Sequence, residues 1–307
     1  MIKNKVNNGP DFICIGAQRS GTTWLYCRLM EHPDFDMLFK KEIHYFDRSN
    51  IYESVDTLRQ TKLIKRLFDT DWVSNATTDC LKSLKGNNYT NLSRKLRWYF
   101  SNYNDKWYLS LFKDLNGISG DITPAYSILH ENDIKRISEL LPNLKIIFLI
   151  RNPIVRAWSS YRLNYIKKGR ALNNTDDIID YLERPNTVLK SDYMKVLNRY
   201  KKHFASNQIL IGFYDAIIDQ PNNLISDIVK FLGGNATLVN QSCKLYTVNN
   251  QSPQTPMPLD IYKHLKSQYE SSIYELAECF NGYCANWKES LSNPRYHGKI
   301  QYPTIIV

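Results

Sequence analysis

The sequence predicts an α/β fold in which helices flank a central parallel sheet within one domain, residues 1–307. Two apolar runs, residues 12–15 and 144–150, contain almost no polar positions, which is typical of parallel strands buried on both faces. A turn containing glycine or proline follows each run, and a helical pattern follows each turn. In such sheets, ligands bind at the edge formed by the carboxyl ends of the strands.

The turn after the first strand has the composition of an anion-binding loop. Gly16 and Gly21 permit backbone conformations that a Cβ atom would block, and the helix predicted from Thr22 to His32 directs its positive dipole end toward the loop. Arg19 adds a full positive charge. The residues predicted to bind a phosphate are Arg19, Ser20, Gly21, Thr22, Thr23 and Trp24.

This loop differs from a Walker A loop, because Thr22 occupies the position of the lysine that reaches the β- and γ-phosphates. The string Gln-Arg-Ser-Gly-Thr-Thr-Trp-Leu at residues 18–25 resembles the 5′-phosphosulfate-binding loop of sulfotransferases that use 3′-phosphoadenosine 5′-phosphosulfate (PAPS). The resemblance implies a P-loop-like fold, PAPS as the sulfuryl donor and no metal ion. It also implies that Arg19 stabilises the leaving phosphate oxygen.

A second segment, residues 35–39, is predicted to be a short strand beside the first, and a cluster of charged residues follows it. Glu42 and His44 form a candidate acid–base pair, but by itself this segment is better explained as a charged loop with Tyr45 and Phe46 turned into the core. The string 42–47 resembles the segment Glu-x-His-Phe-Phe-Asp of glycan sulfotransferases. The resemblance implies that Glu42 is the general base and that His44 assists it, with Lys40 or Lys41 within reach of the sulfuryl oxygens.

Two later segments match the same enzymes. Residues 117–126 are predicted to form a strand entering a turn, and their Thr-Pro-Ala-Tyr matches the glycan sulfotransferases, although Ile122 replaces the usual lysine. After the strand at 144–150, Pro153 is predicted to open a helix. Arg151 and Ser159 match the two residues that bind the 3′-phosphate of PAPS in the family's second signature.

The rest of the chain predicts a helical insertion and further strand–helix units. Residues 48–116, with helical signals at 55–68 and 92–100, are predicted to wall the acceptor cleft. Four aromatic residues there could stack on sugar rings or pack in the core: Trp98, Tyr99, Trp107 and Tyr108. Further predicted elements are helices at 192–204, 221–232 and 259–280 and a strand at 208–214. The loop at 249–256 lacks the basic residues that related enzymes often use on the 3′-phosphate.

Composition limits the class of protein without deciding it. The net charge of +10 fits a nucleic acid, an anionic glycan or a nucleotide, or simply a soluble surface. No apolar run reaches the roughly 20 residues of a membrane span, and the first ten residues lack the core of a signal peptide, which predicts a soluble cytoplasmic protein. Neither the six cysteines nor the six histidines have metal-ligand spacing, and Cys279 and Cys284 are expected to be reduced.

The sequence therefore predicts a PAPS-dependent sulfotransferase whose acceptor is a hydroxyl or amine, most simply on a glycan, while the oligomeric state stays open. Two alternatives have other requirements. A P-loop phosphotransferase of the kinase type would need a lysine in place of Thr22 and an aspartate that binds magnesium. A nucleic-acid-binding module would need a concentrated basic face, whereas the basic residues here are spread along the chain.

Overall fold

A computed structural model describes residues 9–52, 62–86, 89–165, 174–239, 255–292 and 302–307 of the protein. The described residues contain one sheet of five strands in the order β2-β1-β3-β4-β5. The first four strands are parallel, as the sequence predicts, and β5 pairs antiparallel with β4. The strands are β1 (Phe12–Gly16), β2 (Gly120–Ile122), β3 (Lys145–Ile150), β4 (Ile209–Phe213) and β5 (Ile305–Ile306).

Helices occupy most of the remaining described chain and flank the sheet. Before β3 they are α1 (Thr22–Met30), α2 (Leu63–Leu67), α3 (Thr70–Lys85), α4 (Tyr89–Tyr99), α5 (Asp105–Ser110) and α6 (Glu131–Leu140). After β3 they are α7 (Pro153–Tyr165), α8 (Thr175–Leu182), α9 (Pro185–Leu189), α10 (Tyr193–Lys201), α11 (Tyr214–Asp219), α12 (Pro221–Leu232), α13 (Leu259–Phe280) and α14 (Gly282–Ser292). Short 3₁₀ turns cover Pro124–Ile128, Ser206–Gln208 and Ala236–Leu238.

The centre of the sheet is a run of fully buried apolar side chains. Every residue of β1 is buried, and in β3 only Lys145 is partly exposed. Cys14 is in register with Ile122 of β2 on one side and with Ile147 of β3 on the other. Because these strands are parallel and in register, the loops after their carboxyl ends emerge at one edge of the sheet.

The predicted strand at residues 35–39 is wrong. Only Phe35 makes a bridge, to Ile118 just before β2. The backbone on either side supports it, with Ile118 N donating to Asp34 O at 2.9 Å and Asp36 N donating to Ile118 O at 3.1 Å. β1 already has β2 and β3 as neighbours, so no position beside it remains for a further strand.

Residues 63–110 of the predicted insertion are mostly helical, in α2 to α5. Of the predicted helix at 55–68, residues 55–61 lie outside the described chain, and α2 begins only at Leu63. The four aromatic side chains considered for sugar stacking are at most 3% exposed, so they pack in the core. They are Trp98, Tyr99, Trp107 and Tyr108.

The later predictions are largely confirmed. Helices α12 and α13 have the predicted bounds, and α10 begins at Tyr193, where the Asp192 side chain caps it by accepting from Lys195 N at 3.2 Å. Cys279 and Cys284 are free thiols, as expected. Of the loop at 249–256, residues 249–254 lie outside the described residues.

Candidate active site

The loop between β1 and α1 has the backbone of an anion site. Gly16, Arg19 and Gly21 have φ angles of 145°, 71° and 91°, and Ala17 N donates to Leu149 O of β3 at 2.6 Å. At Gly21, which precedes the first residue of α1, a Cβ atom would lie 2.1 Å from Ile217 Cδ1. Gly21 is therefore required for its positive φ, whereas the terminal methyl group of Ile217 could move aside from a Cβ atom.

Polar groups in the loop fit an anionic ligand. The Ser20 side chain is fully buried, yet its hydroxyl has no hydrogen-bond partner within the described part of the chain. No side-chain hydrogen bond caps the start of α1 either. A buried hydroxyl and uncapped backbone N–H groups at a helix N-terminus together favour a negatively charged group with several acceptor oxygens.

The structure brings the predicted second phosphate cluster against this loop. Arg19 Nε donates to Ser159 Oγ of α7 at 3.0 Å, and Arg151 Nη1 donates to the Arg19 carbonyl oxygen at 3.1 Å. Tyr193 donates its hydroxyl to Arg151 O at 2.7 Å, and the Arg151 guanidinium lies 4.0 Å from the centre of the Tyr214 ring. These contacts hold Arg19, Arg151 and Ser159 in one group.

The other predicted anion-loop residues, Thr22, Thr23 and Trp24, differ in whether the side chain or only the backbone can reach a ligand. Thr22 is buried and Thr23 is half-buried at the first turn of α1. The Trp24 side chain is 3% exposed and belongs to the hydrophobic core. Only the Trp24 backbone is therefore placed to contact an anion, and its ring fixes the helix against the core.

The predicted acid–base pair forms a cluster with two neighbours. Glu42 Oε2 lies 3.7 Å from His44 Nε2, and His44 Nδ1 lies 2.7 Å from Asp47 Oδ2. The Lys41 ammonium donates to Glu42 Oε1. Sequence reasoning did not single out Asp47, although a carboxylate three residues after a candidate histidine was the signal that could have identified it.

Electrostatics keep Glu42 ionised. Burial raises the pKa of Glu42, but the hydrogen bond from His44 and the charge of Lys41 outweigh it and lower the pKa to about 2. The Glu42 side chain remains 42% exposed, so it can meet a ligand, whereas Asp47 is 1% exposed. Asp47 therefore holds the His44 ring from the buried side of the cluster.

The backbone of this segment is strained and is held by β2 and the turn after it. Glu42 and His44 have φ angles of 64° and 54°, which are unfavourable for residues with a Cβ atom. Glu42 N donates to Ile122 O at 3.2 Å, and Tyr45 N donates to the Tyr126 hydroxyl at 2.8 Å. These two bonds fix the direction in which the Glu42 and His44 side chains project.

A buried carboxyl group supports that turn. Asp121 is 1% exposed and accepts hydrogen bonds from the hydroxyls of Thr123 at 2.6 Å, Tyr126 at 2.9 Å and Tyr108 at 3.2 Å. Burial raises its pKa to about 6 despite these three donors. Sequence reasoning missed Asp121, because its role depends on hydroxyl groups brought together by the fold.

The two clusters lie at the same edge of the sheet. A Cβ atom at Gly16 would lie 3.0 Å from Pro124 O and 3.2 Å from Ser127 Cβ, so the anion loop begins against the turn that holds Tyr45. Lys41 and Asp121 both act electrostatically on the Cys14 thiol of β1. The anion loop and the Glu42 cluster are thus neighbours around β1 and β2.

These features define an α/β protein with a glycine-containing loop suited to an anion and a carboxylate–imidazole cluster at one edge of its sheet. The chain belongs to the Sulfotransferase family, whose sequence profile matches residues 10–237. This membership agrees with the resemblance found in the sequence, and it gives no support to the kinase-type or nucleic-acid-binding alternatives.

Three characterised relatives are similar at low identity. The bifunctional heparan sulfate N-deacetylase/N-sulfotransferase 1 of Xenopus laevis is 24% identical over 251 residues, covering 73% of this chain and 22% of the relative. The membrane-associated sulfotransferase kil1 of Dictyostelium discoideum is 27% identical, covering 55% and 26%. Human heparan sulfate glucosamine 3-O-sulfotransferase 3B1 is 28% identical, covering 41% and 34%. The chain thus spans about a fifth to a third of the length of these relatives.

A solved structure has the same fold. The sulfotransferase from Alicyclobacillus acidocaldarius aligns with a TM-score of 0.62 at 18% identity, covering 91% of this chain and 98% of that chain. Within the described ranges, no helix combines the length and apolarity needed to cross a membrane. The same ranges contain no group of three or more His, Cys, Asp or Glu side chains arranged to hold a metal ion.

Proposed function

We propose that this protein transfers a sulfuryl group from PAPS to a hydroxyl or amine of a carbohydrate. The observation that carries the proposal is the placement of the Glu42–His44–Asp47 cluster beside the anion loop at one edge of the sheet. Membership of the Sulfotransferase family supports the reaction class. The names of two relatives, which state heparan sulfate sulfation, support a glycan as acceptor.

The donor would be held by groups that the anion loop and α7 supply. The 5′-phosphosulfate meets the Ser20 hydroxyl and the backbone N–H groups at the start of α1, with Arg19 alongside. Arg151 and Ser159 bind the 3′-phosphate, and the Tyr193 hydroxyl holds the Arg151 backbone in place. PAPS supplies a sulfuryl group whose leaving phosphate these cationic and N–H donors stabilise.

Glu42 serves as the general base for the acceptor. Its carboxylate is ionised and partly exposed, so it can receive the proton of an acceptor hydroxyl. Asp47 accepts the Nδ1–H of His44, which turns the Nε2 edge of the ring toward Glu42. His44 therefore orients Glu42, and Asp47 orients His44.

We infer that the helical insertion forms one wall of the acceptor cleft. The Tyr45 hydroxyl donates to Asp105 Oδ1 of α5 at 2.6 Å, and the same carboxylate pairs with Arg136 of α6. The segment that carries Glu42 is thereby attached to the insertion. A sugar bound next to Glu42 would lie between this segment and the insertion.

The donor specificity can be tested without an acceptor. Adenosine 3′,5′-bisphosphate should raise the melting temperature strongly, because a ligand at a hundredfold excess over its Kd stabilises the native state by about 2.7 kcal/mol. Magnesium ATP should give a much smaller increase, since it lacks the 3′-phosphate that Arg151 and Ser159 bind. Equal increases with the two nucleotides in differential scanning fluorimetry would contradict the proposal.

The base is tested by Glu42→Gln, which keeps the shape of the side chain and removes its charge. We expect turnover with a glycan acceptor to fall by about 10²–10⁴-fold. Affinity for the bisphosphate should stay within a factor of about two, because Glu42 acts on the acceptor. His44→Ala is the comparison variant and should lose less activity. Turnover near the wild-type value in Glu42→Gln would remove Glu42 from the mechanism.

A further inference from the structure

Two adjacent lysines precede Glu42, and the fold gives them different environments. The Lys40 side chain is exposed and its ammonium lies 5.5 Å from the centre of the Trp98 ring. The Lys41 side chain is only 17% exposed, and its ammonium is paired with Glu42. Lys41 therefore belongs to the candidate active site, and Lys40 belongs to the contact with the insertion.

The Lys41 ammonium is paired with the candidate base, and its charge acts on the strand that leads into the anion loop. Burial raises the pKa of the Cys14 thiol to about 12, and the charge of Lys41 opposes part of that rise. Cys14 is the third residue of β1, two positions before Gly16 opens the loop. Glu42 N donates to Ile122 O of β2, and Gly16 of the loop lies against Pro124 in the turn after β2. The ammonium paired with Glu42 is thus at the same edge of the sheet as a donor in the loop and an acceptor at Glu42.

The pairing with Lys41 conflicts with the task of Glu42. A carboxylate paired with an ammonium group is a weaker proton acceptor. Burial raises the pKa of Glu42, but its interactions with His44 and then Lys41 hold that pKa well below its usual range. His44 is also held by Asp47, so it is the less mobile of the two side chains that contact Glu42. The contact that can be released is the one to Lys41, whose four-carbon stem is flexible.

We propose that Lys41 is shared between two anions, Glu42 and the sulfuryl group of the donor, and that binding of PAPS draws the ammonium away from Glu42. This inference rests on the proposed function. In the transfer step the acceptor oxygen forms its bond to sulfur, and the bond between sulfur and the 5′-phosphate oxygen breaks. The electron pair of that bond stays on the phosphate, and the acceptor proton passes to Glu42, which Lys41 has released.

Other side chains around the site do not offer this mobile charge. Ile122, the nearest β2 residue to the Glu42 backbone, is apolar and 2% exposed. Arg19 is held in the anion loop by its hydrogen bond from Nε to Ser159 Oγ. The proposal also explains why a lysine serves here, because an arginine would bind the carboxylate through a rigid fork and release it less readily.

The test compares the affinities of PAPS and adenosine 3′,5′-bisphosphate, which lacks the sulfuryl group. Lys41→Met should weaken PAPS binding by roughly 10-fold to 100-fold, the range for one charge-assisted contact, and leave bisphosphate binding unchanged. Lys40→Met is the matched control, since it removes the same charge one residue away, and should change neither affinity. Isothermal titration calorimetry without an acceptor gives all four values.

A second experiment tests the competition between Glu42 and the sulfuryl group for Lys41. Removing the carboxylate with Glu42→Gln should tighten PAPS binding by several-fold, because Lys41 no longer has to leave an anion, while bisphosphate affinity stays the same. In the double variant with Lys41→Met that gain should disappear. Non-additivity of this kind reports an interaction between the two side chains that a general loss of stability would not produce.

The outcomes separate this inference from the proposed function. If the wild type binds both nucleotides but Lys41→Met weakens both equally or neither, the shared role of Lys41 is overturned and the proposed function stands. A wild type that binds neither nucleotide would overturn both. Retained bisphosphate affinity in each variant also demonstrates that the variant is folded.

Discussion

At the scale of single residues, the site holds two carboxyl groups whose pKa values are displaced in opposite directions. Glu42 lies beside Lys41 and His44, and although burial raises its pKa, these two partners lower it to about 2. Asp121 is 1% exposed, and burial raises its pKa to about 6 although three hydroxyl groups donate hydrogen bonds to it. The environment of Glu42 thus keeps it ionised and able to accept a proton in the reaction that we propose. The environment of Asp121 suits a structural carboxyl group that holds the turn beside Glu42.

The raised pKa of Asp121 predicts a pH-dependent stability. The folded state holds the proton of Asp121 more tightly than the unfolded chain does. Asp121 therefore adds most to the unfolding free energy below pH 4, and this stabilisation is lost as the pH rises through 6. A rise from 3.8 to about 6 corresponds to roughly 3 kcal/mol. Relative to Asp121→Asn, the wild type should therefore lose up to about 3 kcal/mol of unfolding free energy between pH 4 and 7, measured by urea denaturation.

Asp114→Asn provides the control for this measurement. In the wild type, the hydrogen bond from Arg97 holds the pKa of Asp114 below its usual value. The unfolding free energy of the wild type should therefore rise relative to that of Asp114→Asn as the pH rises through 4. The side chain is 41% exposed, and the effect should be small. A wild type that gains stability over Asp121→Asn between pH 4 and 7 would show that Asp121 is ionised in the fold at low pH.

At the scale of secondary structure, the units β1–α1 and β3–α7 could be predicted because each is signalled locally. A short apolar run, a glycine or proline turn and a helical pattern are contiguous in sequence, and the buried faces agree with them. The predicted anion-loop residues follow from the composition of the first turn, whereas the roles of Arg151 and Ser159 follow from the resemblance to the family's second signature. Their contacts across the loop follow from the register of β1 and β3, which no local signal contains.

Elements that depend on distant partners could not be predicted. The segment at 35–39 has the apolar character of a strand, but the sides of β1 are taken by β2 and β3. β5 has two residues and exists through its pairing with β4. In contrast, α3 could have been found, because Asp69 caps it at Trp72 N and its buried positions Trp72, Ala76 and Ser83 share helical spacing.

In the segment 40–47, too, some features could be predicted from local sequence and others depend on tertiary contacts. Its sequence identified Glu42 and His44, but it could not separate the roles of Lys40 and Lys41. The separation depends on positive φ angles at Glu42 and His44 and on anchoring to Ile122 and Tyr126. These are tertiary contacts made by β2 and the turn after it.

At the scale of the whole molecule, the insertion and the sheet share one hydrophobic core. Buried side chains from β1 to α14 form a single cluster that includes residues of α3, α4 and α5. The Tyr45 ring is stacked on Tyr108 with ring centres 4.7 Å apart, and Trp107 lies 5.8 Å from Tyr45 and 5.6 Å from Trp98. The catalytic segment we propose is therefore packed directly against the insertion.

This continuity predicts that the chain unfolds as one domain. Trp98 is 1% exposed and its ring packs against Phe39 and Trp107. Trp98→Ala should lower the unfolding free energy by about 3–5 kcal/mol, because removing a large buried ring leaves a cavity in the shared core.

Differential scanning calorimetry should then record one transition, shifted to lower temperature as a whole and still raised by adenosine 3′,5′-bisphosphate. Phe100→Ala is the control at the end of the same helix, since that ring is 42% exposed and its removal should shift the transition far less. If Trp98→Ala instead produced two transitions, with only the upper one responding to the bisphosphate, the insertion would be a separate folding unit and its packing would not hold the catalytic segment in place.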